Sequence, residues 1–191
     1  WILIIDAAVQ DVLSPEVYGN YFALFNFRML FFIVLDLGLN SFNITEVARD
    51  NTKIASLAGS ILGLKLVLSI VYVGIVFSVG YILGYTSQEF SLLIILCGIQ
   101  ILSSFVQYFR SIVASLQKFK LDGVFLVLDR VLVIAFVSAL LWGEIPVLSL
   151  TITRFALAQV LSLSIVILVL LVFLRNHLGN MRISFQLDSL R

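Results

Sequence analysis

The chain has 191 residues, 61% of them hydrophobic and only 12% charged, with a formal net charge of +1. A soluble domain carries about 25% charged residues, so this chain cannot cover a water-facing surface, and its mean hydropathy of +1.14 points to an integral membrane protein. The near-zero net charge supplies no field for nucleic acid, and a single cysteine (Cys97) and a single histidine (His177) exclude disulfide frameworks, Cys/His metal sites and a histidine triad.

A spanning helix needs about 20 mostly apolar residues. Residues 1–12 begin "WILII" and run straight into Asp6. They lack the basic start and small-residue cleavage site of a signal peptide. They read as the second half of a helix whose beginning is missing. The turn "DVLSPEVYG" follows, with Ser14 as N-cap, Pro15 at the first helical position and Glu16 at the positive dipole end.

The second span is expected over 17–45. It carries Arg28 roughly 15 Å along its axis and ends in "DLGLNSFNITEVARD". At 100° per residue, Asp36, Asn40 and Asn43 share one face; Gly38 permits close packing or a bend. Glu46, Arg49 and Asp50 are spaced to form ion pairs that hold or gate the inner mouth. The third span, 54–85, contains Lys65 and two small-xxx-small motifs, Gly59/Gly63 and Gly80/Gly84, which read as close helix packing. The fourth, 90–117, carries Gln100, Ser103, Ser104, Gln107 and Ser111 at helical spacing, a continuous polar stripe, together with Arg110 and Cys97, the latter read as packing. The fifth, 121–142, contains the adjacent pair Asp129 and Arg130. In the sixth, 147–174, Thr151, Arg154, Ala158 and Ser162 share a face.

The connections alternate in charge. The first, third and fifth carry Asp11, Glu16, Glu89 and Glu144 without a lysine or arginine; the second and fourth carry Arg49, Lys53, Lys118 and Lys120, and the tail Arg175, Arg182 and Arg191. Basic loops stay inside, so 46–53, 118–122 and the 175–191 tail are expected to be cytoplasmic.

A charge in the bilayer costs about 2.5–3.5 kcal/mol on insertion scales and faces a cavity, a partner or the headgroups. Lys65, Arg110 and Arg130 lie close enough to the inner face either to snorkel or to line a lumen, and Asp129 reads as neutralising an arginine of a neighbouring helix. Arg28, near the midplane, and Arg154, roughly 10 Å in from the outer face, read as lumenal. The Ser/Gln stripe serves either as a conduit or as interhelical hydrogen bonding. Three helices with polar faces fit a bundle around a hydrated interior.

"VLSPEVYGNYFALFNFRMLFFIVLDLGLNSFNITEVARD" and "FRSIVASLQKFKLDGVFLVLDRVLVIAFVSALL" resemble the oligosaccharide flippases of the multidrug and polysaccharide exporter superfamily. The likeness lies in the "LSPEVYG" outer loop, the "DLGL" turn closing the second helix, the polar inner segment, and the Arg–loop–helix order of the second stretch. It spans essentially the whole chain. It implies an all-α, V-shaped transporter of twelve to fourteen helices in two lobes. This chain supplies about six helices of the first lobe (1–174), and 175–191 is a tail or linker to the second. The implied substrate is an undecaprenyl-pyrophosphate-linked oligosaccharide, moved from the cytoplasmic to the periplasmic leaflet of the bacterial inner membrane by alternating access, for O-antigen, capsule or exopolysaccharide assembly. The implied coupling is to H+ or Na+, with no cofactor. The other partners are membrane lipids and the second lobe. Arg28, Arg110, Arg130 and Arg154 are the residues here that could attract pyrophosphate or acidic sugars.

Two other classes stand beside this one. A drug or cation antiporter of the same superfamily needs acidic lumenal groups, whereas the charges inside these spans lean to arginine. A membrane-embedded glycan enzyme usually needs a large outer loop or a His/Asp site, and the outer loops here are short with no histidine in a span. A transporter, not an enzyme, is therefore expected.

Overall fold

The computed structural model describes residues 7, 9–50, 54–142 and 151–175 (side chains of 55, 56, 141 and 142 excepted), and contains no strand among them. After a helical segment over 9–12 come α1 (Pro15–Leu30), α2 (Ile33–Asp36), α3 (Leu39–Arg49), α4 (Ile54–Ile82), α5 (Ser87–Ser115), α6 (Phe119–Trp142) and α7 (Ile152–Leu174). Four stretches are long and apolar enough to cross a bilayer: Leu57–Ile82, Ser87–Ser115, Phe119–Leu140 and Ile152–Leu174. The expected first span falls mostly outside the described residues, as do His177 and the tail beyond Arg175.

The second span departs from expectation. In place of one helix over 17–45, the chain forms α1, α2 and α3, and the α1 axis is bent by 44° from that of Ile33–Arg49. The physical reason is local. Leu37 and Gly38 both take left-handed backbone angles (φ 44° and 81°), ending α2 and starting α3. A bend at Gly38 was legible in the sequence; left-handed leucine beside it was not, because only a well-determined surrounding holds a branched residue there.

The helix starts follow capping chemistry. Ser14 Oγ accepts from Val17 N–H with Pro15 at the first helical position. At α5, Thr86 and Glu89 form a reciprocal capping box. Thr151 Oγ1 accepts from Arg154 N–H at the start of α7, so Thr151 caps the helix.

The small-residue motifs divide. Gly59 and Gly63 are buried along α4. At Gly80 an added Cβ would lie 3.2 Å from the Tyr85 ring. Gly84, with φ +77°, does not pack a helix face; it terminates α4, where Tyr85 N–H reaches back to the Gly80 carbonyl.

Helix α5 is the hub: it packs most extensively on α7, then on α3 and α1, while α6 rests on α7 and α4 covers α2 and α3. Helices α1 and α6 barely meet. The space between them, floored by α5, is the principal cleft.

Candidate functional site

Helix α5 carries polar groups on two faces, and the fold sends them to two different places. One face meets the broken span. Because α2 stops at Asp36, the Leu35 carbonyl has lost its place in a regular ladder, inside a bilayer that offers no water. Lys65 Nζ donates to this carbonyl at 3.1 Å and Ser104 Oγ donates to it at 3.3 Å. The same ammonium donates to Ser104 Oγ at 2.8 Å and lies 3.4 Å from Asp36 Oδ1. Its three N–H groups thus meet three oxygens. Lys65 is 1% exposed, so it does not snorkel; it staples the break to α4 and α5.

Two turns further along, Asn43 Nδ2 donates to Ser111 Oγ at 2.8 Å, and Ser111 donates to the Tyr108 carbonyl at 2.7 Å. The Tyr108 hydroxyl donates to the Ala58 carbonyl at 2.8 Å. Asp36 and Ser104 therefore belong to the staple, and Asn43 and Ser111 to a second interhelical cluster. Asn40 is half-buried beside it, and its Oδ1 has no hydrogen-bond partner among the described residues. Glu46 and Arg49 do pair, at 3.3 Å, along the exposed end of α3.

The other face of α5 opens into the cleft, which has a volume of about 530 Å³. Gln100, Ser103, Gln107 and Arg110 form its floor; Tyr18, Phe22, Phe25 and Arg28 of α1 form one wall; Leu126, Asp129, Arg130 and Val133 of α6 form the other, with Phe155 and Gln159 of α7 behind. The anticipated stripe thus splits: Gln100, Ser103 and Gln107 face the cleft, and Ser104 faces the staple. Of the four candidate arginines, the cleft gathers Arg28, Arg110 and Arg130. Arg154 is not among its lining residues.

The three differ in how they are held. Arg28 is 3% exposed; its Nη1 donates to the Leu96 carbonyl at 2.6 Å, its guanidinium lies 4.6 Å from the Phe25 ring centre, and its Nε has no partner among the described residues. The Tyr72 hydroxyl holds its backbone by donating to the Arg28 carbonyl at 3.2 Å. Arg110 makes a two-pronged pair with Asp122, at 2.8 and 3.0 Å, so the arginine partner expected of Asp129 is taken by Asp122. Asp129 instead lies 3.7 Å from Arg130 of its own helix, and its Oδ1 has no hydrogen-bond partner among the described residues. The Arg130 side chain is 49% exposed into this region. Cleft-facing charge is three arginines against one aspartate, or three against two when Asp122 is included, which leaves a net cationic end. Guanidinium groups with donors to spare suit a phosphate or carboxylate.

The family model described as polysaccharide biosynthesis protein matches residues 3–191. The chain belongs to that family. No curated protein and no solved structure matches it. Membership ties the chain to polysaccharide biosynthesis, and the cleft is where arginine donors gather within its apolar bundle. The side chains that the polar pattern alone did not single out are Lys65 as a staple, Asp122 as the clamp on Arg110, and the α1 aromatics. The last carried a signal: Tyr18, Tyr21, Phe22 and Phe25 sit at i, i+3, i+4 and i+7.

Proposed function

We propose that this polysaccharide biosynthesis protein moves a polyprenyl-pyrophosphate-linked oligosaccharide from the cytoplasmic to the periplasmic leaflet. It does so without making or breaking a covalent bond, as one lobe of an alternating-access transporter coupled to an H+ or Na+ gradient. The observation that carries the reading is the convergence of Arg28, Arg110 and Arg130, from three different helices, on one cleft within an apolar helix bundle. A pyrophosphate head needs such groups to leave water, since charge-assisted N–H···O bonds replace its hydration. Its polyprenyl tail needs no site, because it stays in the bilayer alongside the exposed apolar faces of the helices. A groove of this kind is completed by a second lobe that rocks against the first. The end of the bundle carrying Arg49, Lys118 and Lys120 faces the cytoplasm in this scheme.

The test is a deletion of the intact gene followed by mass spectrometry of lipid-linked oligosaccharides, with leaflets assigned by a membrane-impermeant label. The reading expects complete units to accumulate on the inner leaflet, cleared by the wild-type gene but not by one carrying Arg28→Gln and Arg130→Gln. Unchanged lipid-linked sugars together with new sensitivity to cationic drugs would replace it with the antiporter reading.

A further inference from the structure

The cleft is not uniform along its length. Helices α1, α5 and α7 all start at the acidic end of the bundle, and α6 starts at the basic end. Residue number along each helix therefore reads out position along the cleft. Tyr18 and Phe22 come from the first half of α1, with Phe25 one turn before Arg28, and Phe155 and Gln159 come from the first half of α7, toward the acidic end. Arg110 comes from the last turns of α5, toward the basic end, and Arg130 from the middle of α6, between the two ends. At about 1.5 Å per residue, Tyr18 and Arg28 are separated by roughly 15 Å along α1. Arg28, with its guanidinium over Phe25, marks the seam.

The aromatic half is ordered. The rings of Tyr18 and Phe22 are 6.4 Å apart and 16° from parallel; those of Phe22 and Phe25 are 6.3 Å apart and 9° from parallel. Phe22 is 52% exposed, which in a core-facing aromatic row would be wasteful. Behind the row, Tyr21 is fixed by the Phe155 ring at 5.6 Å and by Gln159, whose Nε2 donates to the tyrosine oxygen at 3.2 Å. A row of parallel rings flanked by amide groups has the chemistry that recognises pyranose sugars: ring faces receive the C–H face of the sugar, and amides meet its hydroxyls. The opposite half has the chemistry of phosphate. The Nε of Arg28, buried and without a hydrogen-bond partner among the described residues, lies where the two halves meet.

From this segregation we infer that the cleft is a two-part site: the Tyr18–Phe22–Phe25 row is a glycan subsite that binds the first sugars of the lipid-linked unit, and Arg28 with Arg130 holds its pyrophosphate. The inference rests on the flippase reading above and adds that selection among glycans resides on α1. The polarity is that of the substrate. A phosphate anchored mid-cleft at Arg28 and Arg130 extends its sugars toward the acidic end.

The test measures binding to the purified full-length protein in nanodiscs with two probes: undecaprenyl pyrophosphate bearing no sugar, and the same lipid bearing a tetrasaccharide. Tyr18→Leu with Phe22→Leu keeps apolar volume and removes the ring faces. It is expected to lose roughly tenfold in affinity for the sugar-bearing lipid and to bind the bare lipid as wild type does. Phe22→Trp restores a ring face and is expected to retain wild-type affinity for both. Arg130→Gln is expected to weaken both probes alike. Equal binding of the sugar-bearing lipid by wild type and the double leucine variant overturns the glycan subsite and leaves the pyrophosphate reading standing. Equal losses on both probes in the leucine variant overturn it too, since they assign the row to the prenyl chain or to packing. Wild type binding neither probe overturns both readings together.

Discussion

The two faces of α5 carry similar sequence signatures and arrive at opposite states. On the α3/α4 side, Lys65, Ser104, Asn43 and Ser111 are all buried, and each donates to another protein group. On the α1/α6 side, Gln100, Ser103, Gln107 and three arginines border a cleft of about 530 Å³. Each side holds two buried polar atoms without a hydrogen-bond partner among the described residues, Asn40 Oδ1 and Asn43 Oδ1 on the first, Arg28 Nε and Asp129 Oδ1 on the second. What separates the faces is therefore the space beside them: the first is packed between helices, and the second borders a cleft that a ligand can enter.

Mutations should separate the two faces. The largest stability effect is expected at the staple. Lys65→Met leaves the Leu35 carbonyl and the Asp36 carboxylate without their cation. Removing one partner of a buried pair costs about 3–5 kcal/mol, and Asp36, 24% exposed, places this one near the lower bound. Thermal unfolding of detergent-solubilised protein should show it, with transport falling only as folded protein is lost. Next comes the Asn43–Ser111 bond. Asn43→Ala and Ser111→Ala should each cost about 1 kcal/mol, with a coupling of similar size in the double-mutant cycle; strictly additive losses would show that the bond contributes nothing.

Gly38→Ala is the third. Nothing stands within 4 Å of the Cβ it would add, so the cost is the left-handed backbone alone, φ +81°, about 1 kcal/mol. A much larger loss would mean that the break tolerates less distortion than its open surroundings suggest. The smallest effect belongs to the exposed Glu46–Arg49 pair, whose arginine side chain is 74% exposed. Arg49→Gln should change stability by less than about 0.5 kcal/mol. A clear transport defect in that variant would restore a gating role to the pair.

The sequence made the membrane class, the four long spans of the described region and the start of α1 legible, because hydropathy and capping are local properties. Ser14, Pro15 and the Gly38 bend are examples. It also marked which helices carry polar faces. It did not say where those faces point. Ser103 and Ser104 are adjacent, yet one lines the cleft and the other donates to Leu35, a consequence of the rotation of α5 relative to α1 and α3 that no periodicity encodes. Lys65 could be assigned to the headgroups from its depth alone; its burial follows from the break in α2, which creates the acceptor it fills. The sequence marks Asp129 as a carboxylate for a neighbouring arginine, yet the carboxylate that clamps Arg110 is Asp122. Asp122 lies one turn into α6, just across the Leu116–Lys118 turn, and a short connection brings it to Arg110 before Asp129 can arrive.

The most direct measurement compares the two faces in one assay: transport of lipid-linked oligosaccharide per unit of folded protein, for Arg130→Gln and Asn43→Ala side by side. The account predicts that Arg130→Gln keeps wild-type stability while losing at least about tenfold in transport, and that Asn43→Ala loses stability while each folded molecule still transports at the wild-type rate. Transport that follows folded protein in both variants would contradict it, because the cleft arginine would then be doing no more than the buried asparagine does.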